Sequence, residues 1–300
     1  MEKLKKIWLN GHLIDWENAQ IHILTHTLHY GSGVFEGIRC YKTAKGPAVF
    51  RLKDHIERLF YSAVVLEMDI PFSQQQIEEA VLQTIKANEL EECYIRPIVF
   101  FGDKMGLNPK GAPLHIAIAV WPWGAYLGGK ETVDVKISKY IRMHPGSADI
   151  KAKMCGYYAN SVLASLEAHK ENFDEALFLD YEGFVAEGPG ENIFFVEQGK
   201  LLTPKSDNIL AGITRNSILK IANDLGIETK EEKISPERAK LASEAFFTGT
   251  AAEVCPIGKI DDVLIGQAKV GEITSQIKKV FEQVITGNND AYLSWLTFLK

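Results

Sequence analysis

Several short segments hold residue types that can do chemistry together. Lys151 and Lys153 lie two apart in DIKAKMCGYY (149–158). Most lysines are solvated, but Lys153 is followed by Met154, Cys155, Gly156, Tyr157 and Tyr158, a run that can draw it into a pocket. A desolvated lysine amine loses its proton more readily and forms an imine with a carbonyl. AEGPGEN (186–192) reads either as a tight turn with solvated glutamates or as a turn that holds one carboxylate against a bound heterocycle. AGITRNSIL (211–219) places Gly212 just before a helix that starts near Thr214. A helix N-terminus offers unpaired N–H groups and a positive dipole end, which suit a phosphate; an ordinary N-cap at Thr214 is the other reading. The same two readings hold for TGTAAE (248–253), where small residues around Gly249 let the backbone approach a ligand.

His22, His26 and His29 fall within eight residues, and the first two have a spacing that zinc sites use on helices. Thr25, Thr27, Gly31 and Gly33 make this a poor helix, and no carboxylate or cysteine completes a ligand set. Histidines satisfied by hydrogen bonds, and no metal, are therefore expected. The remaining segments would supply a lysine nucleophile, a carboxylate and two glycine–threonine cradles for an anion. Pyridoxal 5′-phosphate requires that set: a Schiff-base lysine, an acidic partner for its pyridine nitrogen and a phosphate site.

These residues must be positioned by a chain of 300 residues, enough for one large domain or two modest ones. Apolar residues make up 46% and charged residues 24%, as in a soluble globular protein. The net charge is −6 and no long basic tract occurs, which argues against nucleic acid as a partner. The longest apolar runs, RPIVFFG and LHIAIAVWPW, fall far short of the ~20 residues of a spanning helix. The first residues lack the apolar stretch of a signal peptide. The four cysteines are scattered with no CxxC, so a reduced, cytoplasmic protein is expected.

Asn10-Gly11 between two short apolar stretches predicts a hairpin. A helix is predicted over residues 53–68 with Ile56, Leu59, Phe60, Ala63 and Val64 on its core face. Ser73 and Gln76 form a capping-box pattern for a second helix, with Ile77, Ala80, Val81, Thr84 and Ile85 inward. The glycine-rich stretch 124–132 reads as a linker between a small N-terminal α+β domain (1–123) and a larger C-terminal α+β domain (133–300). In the latter, Ser235 and Pro236 mark the start of a short helix.

In order along the chain, HYGSGVFEGIRCY (29–41), YIRP (94–97), GLNP (106–109), WPWGAYLG (121–128), Lys153 with Gly156 and Tyr158, EGPGENIFF (187–195), GITR (212–215) and GTAAEV (249–254) resemble the branched-chain amino acid aminotransferases. These are fold-type IV enzymes dependent on pyridoxal phosphate, with the α+β two-domain fold of D-amino acid aminotransferase. The resemblance implies Lys153 as the Schiff-base lysine, Tyr158 on the cofactor's phenolic oxygen and Glu187 on its ring nitrogen. It implies Arg58, Ile213, Thr214 and Thr250 at the phosphate, and Tyr30, Phe35, Tyr94, Arg96, Tyr126, Thr250 and Ala251 around the substrate. It further implies ping-pong transfer of the amino group from leucine, isoleucine or valine to 2-oxoglutarate. Tyr30 and the loop around Leu107 are similar to segments that reach across a dimer interface, so a homo-oligomer, at least a dimer, is expected. Met154 and Cys155 stand where relatives often carry small residues, which leaves the ranking of substrates open. A D-amino acid aminotransferase or an aminodeoxychorismate lyase would share Lys153 and Glu187 and stays as the alternative; a non-catalytic binder of the cofactor is more remote.

Overall fold

The computed structural model describes residues 3–124 and 129–299. The chain divides into two compact units, one made of Met1–Gly124, Ala152–Tyr157 and Val284–Lys300, the other of Ala125–Lys151 and Tyr158–Gln283. One junction falls after Gly124. Two later pieces also join the first unit, and one of them carries Lys153. Their membership depends on pairing across long stretches of chain, which composition along the sequence does not register.

The first unit is built on an eight-stranded sheet in which every pairing is antiparallel. The hairpin forms as expected: Asn10 and Gly11 take φ of 49° and 98° between strands Lys6–Leu9 and His12–Asp15, the left-handed pair that a two-residue turn needs. Strand Cys93–Phe101 is central. Along one edge it pairs with Gly33–Phe35 and then with Ile38–Thr43. Glu36 and Gly37 interrupt that edge opposite Arg96 and Pro97, where Pro97 has no N–H to donate; the Glu36 N–H donates to the Pro97 carbonyl at 2.9 Å.

Helices Leu52–Val65 and Gln74–Ala87 supply the apolar cover of the sheet, with Ile56, Leu59, Ile77, Val81 and Ile85 meeting Val34, Ile38, Ile95 and Val99 in one core. The second helix carries the full capping box and buries the five residues expected. The first buries Leu52, His55, Ile56, Leu59, Ser62 and Ala63. Val64, expected inside, is exposed, and Phe60 is only half-buried. The difference lies in His55 and Ser62, polar side chains admitted to the core because each is hydrogen-bonded there, His55 to Glu36 and Ser62 to the Lys153 N–H.

The second unit holds a mixed eight-stranded sheet, with Asn192–Glu197, Glu244–Gly249 and Glu253–Ile260 antiparallel at its centre. Helices Tyr158–Lys170, Ile213–Asp224, Pro236–Lys240 and Glu272–Ile285 complete it, the third capped by Ser235 with Pro236 in its first turn. Among the described residues no helix is long and apolar enough to cross a membrane.

One backbone approach in the first unit is unusually close. Gly31 ends the short helix His26–Tyr30 with φ +64°, and its carbonyl accepts the Gly156 N–H at 3.0 Å. A Cβ at Gly31 would lie 2.6 Å from the Gly156 Cα. Gly31→Ala is expected to cost about 2–4 kcal/mol, from a left-handed alanine plus a backbone clash. Urea unfolding measures this; a loss under about 0.5 kcal/mol would mean the two backbones do not meet.

Candidate active site

In the first unit, Lys153 lies on a segment held by its main chain. Its N–H donates to Ser62 Oγ at 2.9 Å, its carbonyl accepts the Phe35 N–H at 3.0 Å, and Met154 bridges to Val34. Lys153 is half-buried whereas Lys151 is exposed, and the Lys153 Nζ stands 5.2 Å from the centre of the Phe35 ring. Backbone contacts thus hold the segment in place. Burial pushes the neighbouring Cys155 thiol up to about 11 against the pull of Arg96, so it stays a thiol at neutral pH and is no rival nucleophile.

Strand alternation sorts the residues around Lys153. Ile95 and Val99 face the helices, so Tyr94 and Arg96 face the other way. Phe35, two residues along from Gly33 on the adjoining strand, is on that face too. The Arg96 guanidinium carbon lies 4.6 Å from the centre of the Phe35 ring, 5.5 Å from Tyr94 and 5.8 Å from Trp121. Trp121 pairs with Tyr94 across the strands and small Ala119 faces Arg96. Arg96 Nε is buried without a hydrogen-bond partner among the described residues. A cation among aromatic rings with an unmet donor presents both an apolar wall and an anion site.

Arg58 sits on helix Leu52–Val65, paired to Glu36 through Nε–Oε1 at 2.6 Å and Nη2–Oε2 at 2.9 Å. Tyr30 is exposed, its ring 4.6 Å from that of His26. His26 is buried, with Nδ1 on Ser32 Oγ and Nε2 on the Gly106 carbonyl; His29 Nε2 meets the Ile23 carbonyl. The histidines are satisfied by hydrogen bonds, as their setting suggested. Tyr126 lies outside the described residues.

In the second unit, Glu187 is buried. Arg142 Nε donates to its Oε1 at 2.6 Å, Asn192 Nδ2 to its Oε2 at 3.1 Å, and the Leu210 N–H reaches both oxygens at 3.2 Å. Asn192 also donates to the Leu210 carbonyl at 2.9 Å. A Cβ at Gly212 would overlap the Asn192 side chain, so glycine is required where helix Ile213–Asp224 begins. That cap residue brings no side-chain oxygen to the first-turn N–H groups of Ile213 and Thr214, which suits them to an external anion. Arg215 anchors the same helix through the Pro204 carbonyl and Glu231. Thr250 and Ala251 are half-buried in the turn between Glu244–Gly249 and Glu253–Ile260. Asn192 pairs with Thr248 across strands, so that turn and the Glu187 turn lie side by side. Tyr158, half-buried, opens helix Tyr158–Lys170.

The structure therefore gathers Lys153, Phe35, Tyr94 and Arg96 in one unit, and Glu187, Ile213 and Thr214 through Asn192 in the other. Arg142 and Asn192 were missed by sequence reasoning. Asn192 lies inside EGPGENIFF, where its amide was the available signal; nothing local to Arg142 sets it apart.

A buried carboxylate beside a cationic partner, an uncapped helix start and a half-buried lysine are the kinds of group that a phosphorylated carbonyl cofactor requires. The chain belongs to the amino-transferase class IV family, whose model matches residues 33–260. It is 45% identical over 298 residues to the branched-chain-amino-acid aminotransferase of Pseudomonas aeruginosa, spanning 98% of this chain and 97% of that protein. To the enzyme of the same name from Escherichia coli K12 it is 40% identical over 301 residues, spanning 98% and 97%. The branched-chain aminotransferase of Thermoproteus uzoniensis with norvaline superposes with a TM-score of 0.95 at 41% identity, over 99% of this chain and 100% of that one. The branched-chain amino acid aminotransferase of Thermobaculum terrenum, in its holo form with pyridoxal phosphate, gives 0.94 at 34% identity over 99% of both chains. The α+β, fold-type IV architecture and the family expected from the motifs are borne out.

Proposed function

We propose that the chain is a branched-chain-amino-acid transaminase dependent on pyridoxal 5′-phosphate. It moves the amino group of L-leucine, L-isoleucine or L-valine to 2-oxoglutarate in two half-reactions, releasing a branched 2-oxo acid and L-glutamate. The residues present fit the cofactor: Lys153 for its carbonyl, Glu187 for its ring nitrogen, Tyr158 for its phenolic oxygen. Arg58, Ile213, Thr214 and Thr250 suit its phosphate. When bound, the cofactor supplies an electron-accepting ring and a carbon that carries nitrogen between substrates.

The chain's own groups do the rest. Lys153 Nζ takes the proton from the substrate Cα as base and returns it as acid, from one position beside Phe35. An anionic Glu187 favours a protonated ring nitrogen; Arg142 and Asn192 hold that carboxylate in place. The N–H groups at Thr250 and Ala251 receive the substrate carboxylate. Phe35, Tyr30, Tyr94 and Tyr126 take the apolar side chain.

The observation that carries this reading is Arg96. One pocket must accept leucine and glutamate in turn, and a guanidinium framed by Phe35, Tyr94 and Trp121 with an unmet Nε can serve both. Arg96→Leu is expected to lower kcat/KM for glutamate and 2-oxoglutarate about 10–100-fold, the worth of a charge-assisted hydrogen bond. Leucine use should change severalfold at most. Equal losses for both substrates would reduce Arg96 to a structural part. Parallel assays with L-leucine, D-alanine and aminodeoxychorismate separate this function from the sister activities.

We also infer a homo-oligomer, at least a dimer, acting in the cytoplasm. Ile21, Ile23, Leu24, Leu28 and Leu107 are exposed apolar side chains that support a self-contact. All four cysteines are free thiols, in keeping with a reducing compartment.

A further inference from the structure

Glu36 is a glutamate with no exposed surface, next to the strand Gly33–Phe35 and against the helix Leu52–Val65 that carries His55 and Arg58. A buried carboxylate is costly unless its charge and lone pairs are met. Here they are. Oε1 accepts Arg58 Nε at 2.6 Å; Oε2 accepts Arg58 Nη2 at 2.9 Å, His55 Nδ1 at 2.7 Å and the Gly37 N–H at 3.3 Å. Burial alone would raise the Glu36 pKa, but the charges and hydrogen bonds of Arg58 and His55 outweigh it and hold the carboxyl well below the usual range. Burial in turn lowers the pKa of His55, against the pull of Glu36; its Nδ1 faces a carboxylate, which can only accept.

Such a cluster adds little to stability over a well-packed apolar one. What it does is hold the Arg58 fork by two parallel hydrogen bonds in one plane. The two partners differ in exposure: the Glu36 side chain has none and the Arg58 side chain keeps 15%. Of the pair, Arg58 is the one that keeps exposed surface. Its helix also carries Ser62, one turn on, whose Oγ holds the Lys153 N–H. At the end of strand Gly33–Phe35, Phe35 turns to the Lys153 amine while Glu36, the next residue, turns to Arg58, the alternation of extended backbone.

We propose that Glu36, braced by His55, is a positioning residue that sets the Arg58 guanidinium for the cofactor phosphate. This rests on the assignment of Arg58 to that phosphate. The test uses the full-length protein freed of cofactor, titrated with pyridoxal 5′-phosphate and, separately, with pyridoxal, which lacks the phosphate. Glu36→Gln should weaken binding of the phosphorylated compound about 10–100-fold, the usual loss when a group that orients a ligand-binding side chain is removed. Binding of pyridoxal should stay within about twofold of the parent, because Arg58 does not touch it. Arg58→Gln should lose the same preference, and Glu36→Gln/Arg58→Gln should be no weaker than Arg58→Gln alone. The double variant leaves no unpaired buried charge, so it serves if Glu36→Gln alone does not fold. An unchanged preference in Glu36→Gln, an equal loss for both compounds, or additive losses in the double variant would overturn the proposal. A parent chain that binds neither compound would overturn the function itself, a distinguishable result.

Discussion

Lys153→Ala is expected to abolish transamination in both directions, with rates down about a thousandfold or more. A proton-transfer group alone contributes about 10²–10⁴-fold, and the same amine also anchors the cofactor. The segment should stay in place without the side chain. Its anchors are main-chain: the Lys153 N–H on Ser62 Oγ and its carbonyl on the Phe35 N–H. Circular dichroism and unfolding curves should therefore match the parent, while the visible absorbance of the lysine-bound cofactor is lost. Normal turnover in this variant would remove Lys153 from the chemistry altogether.

Glu187→Gln is expected to slow both half-reactions by about 10²–10³-fold, the size seen when one preorganised electrostatic partner of a reacting group is removed. The fall should be equal for leucine and glutamate. Glu187 is assigned to the cofactor ring, which both substrates share, whereas Arg96 is assigned to a side chain that only one of them has. The amide keeps the shape of the carboxylate but leaves the Arg142 guanidinium without a charge partner, since Arg142 Nε is paired to Oε1 at 2.6 Å. A loss of stability is expected beside the loss of rate, in the range of about 3–5 kcal/mol for a broken buried pair. Single-turnover rates at saturating cofactor separate the two effects. If those rates were unchanged while stability fell, Glu187 would serve only to neutralise Arg142.

Much of the local structure was readable before folding. The Asn10-Gly11 hairpin, the Ser73–Gln76 capping box and the Ser235–Pro236 helix start all formed where expected. In each case the causes lie within a few residues: a left-handed turn, an unpaired N–H, a fixed φ. The helix around Arg58 shows where such reading stops. Apolar spacing put Val64 inside and was blind to His55 and Ser62. Polar residues enter a core only when partners elsewhere satisfy them, and their partners are Glu36, 19 positions away, and Lys153, 91 positions away.

The amino-acid sequence by itself determined which chemical groups are present, their order along the chain and the short elements that carry them. That was enough to point to a lysine, a carboxylate and a phosphate cradle, and to the family in which they recur. The tertiary structure decided which of those groups are held and by what. Arg142 meets Glu187 across 45 positions. Asn192 joins that carboxylate to the start of helix Ile213–Asp224. Glu36 clamps Arg58. The physical reason is common to all three. The cost of burying a charge depends on the partner it finds, and for these groups the partner is brought by sheet pairing and helix packing rather than by neighbours in the chain.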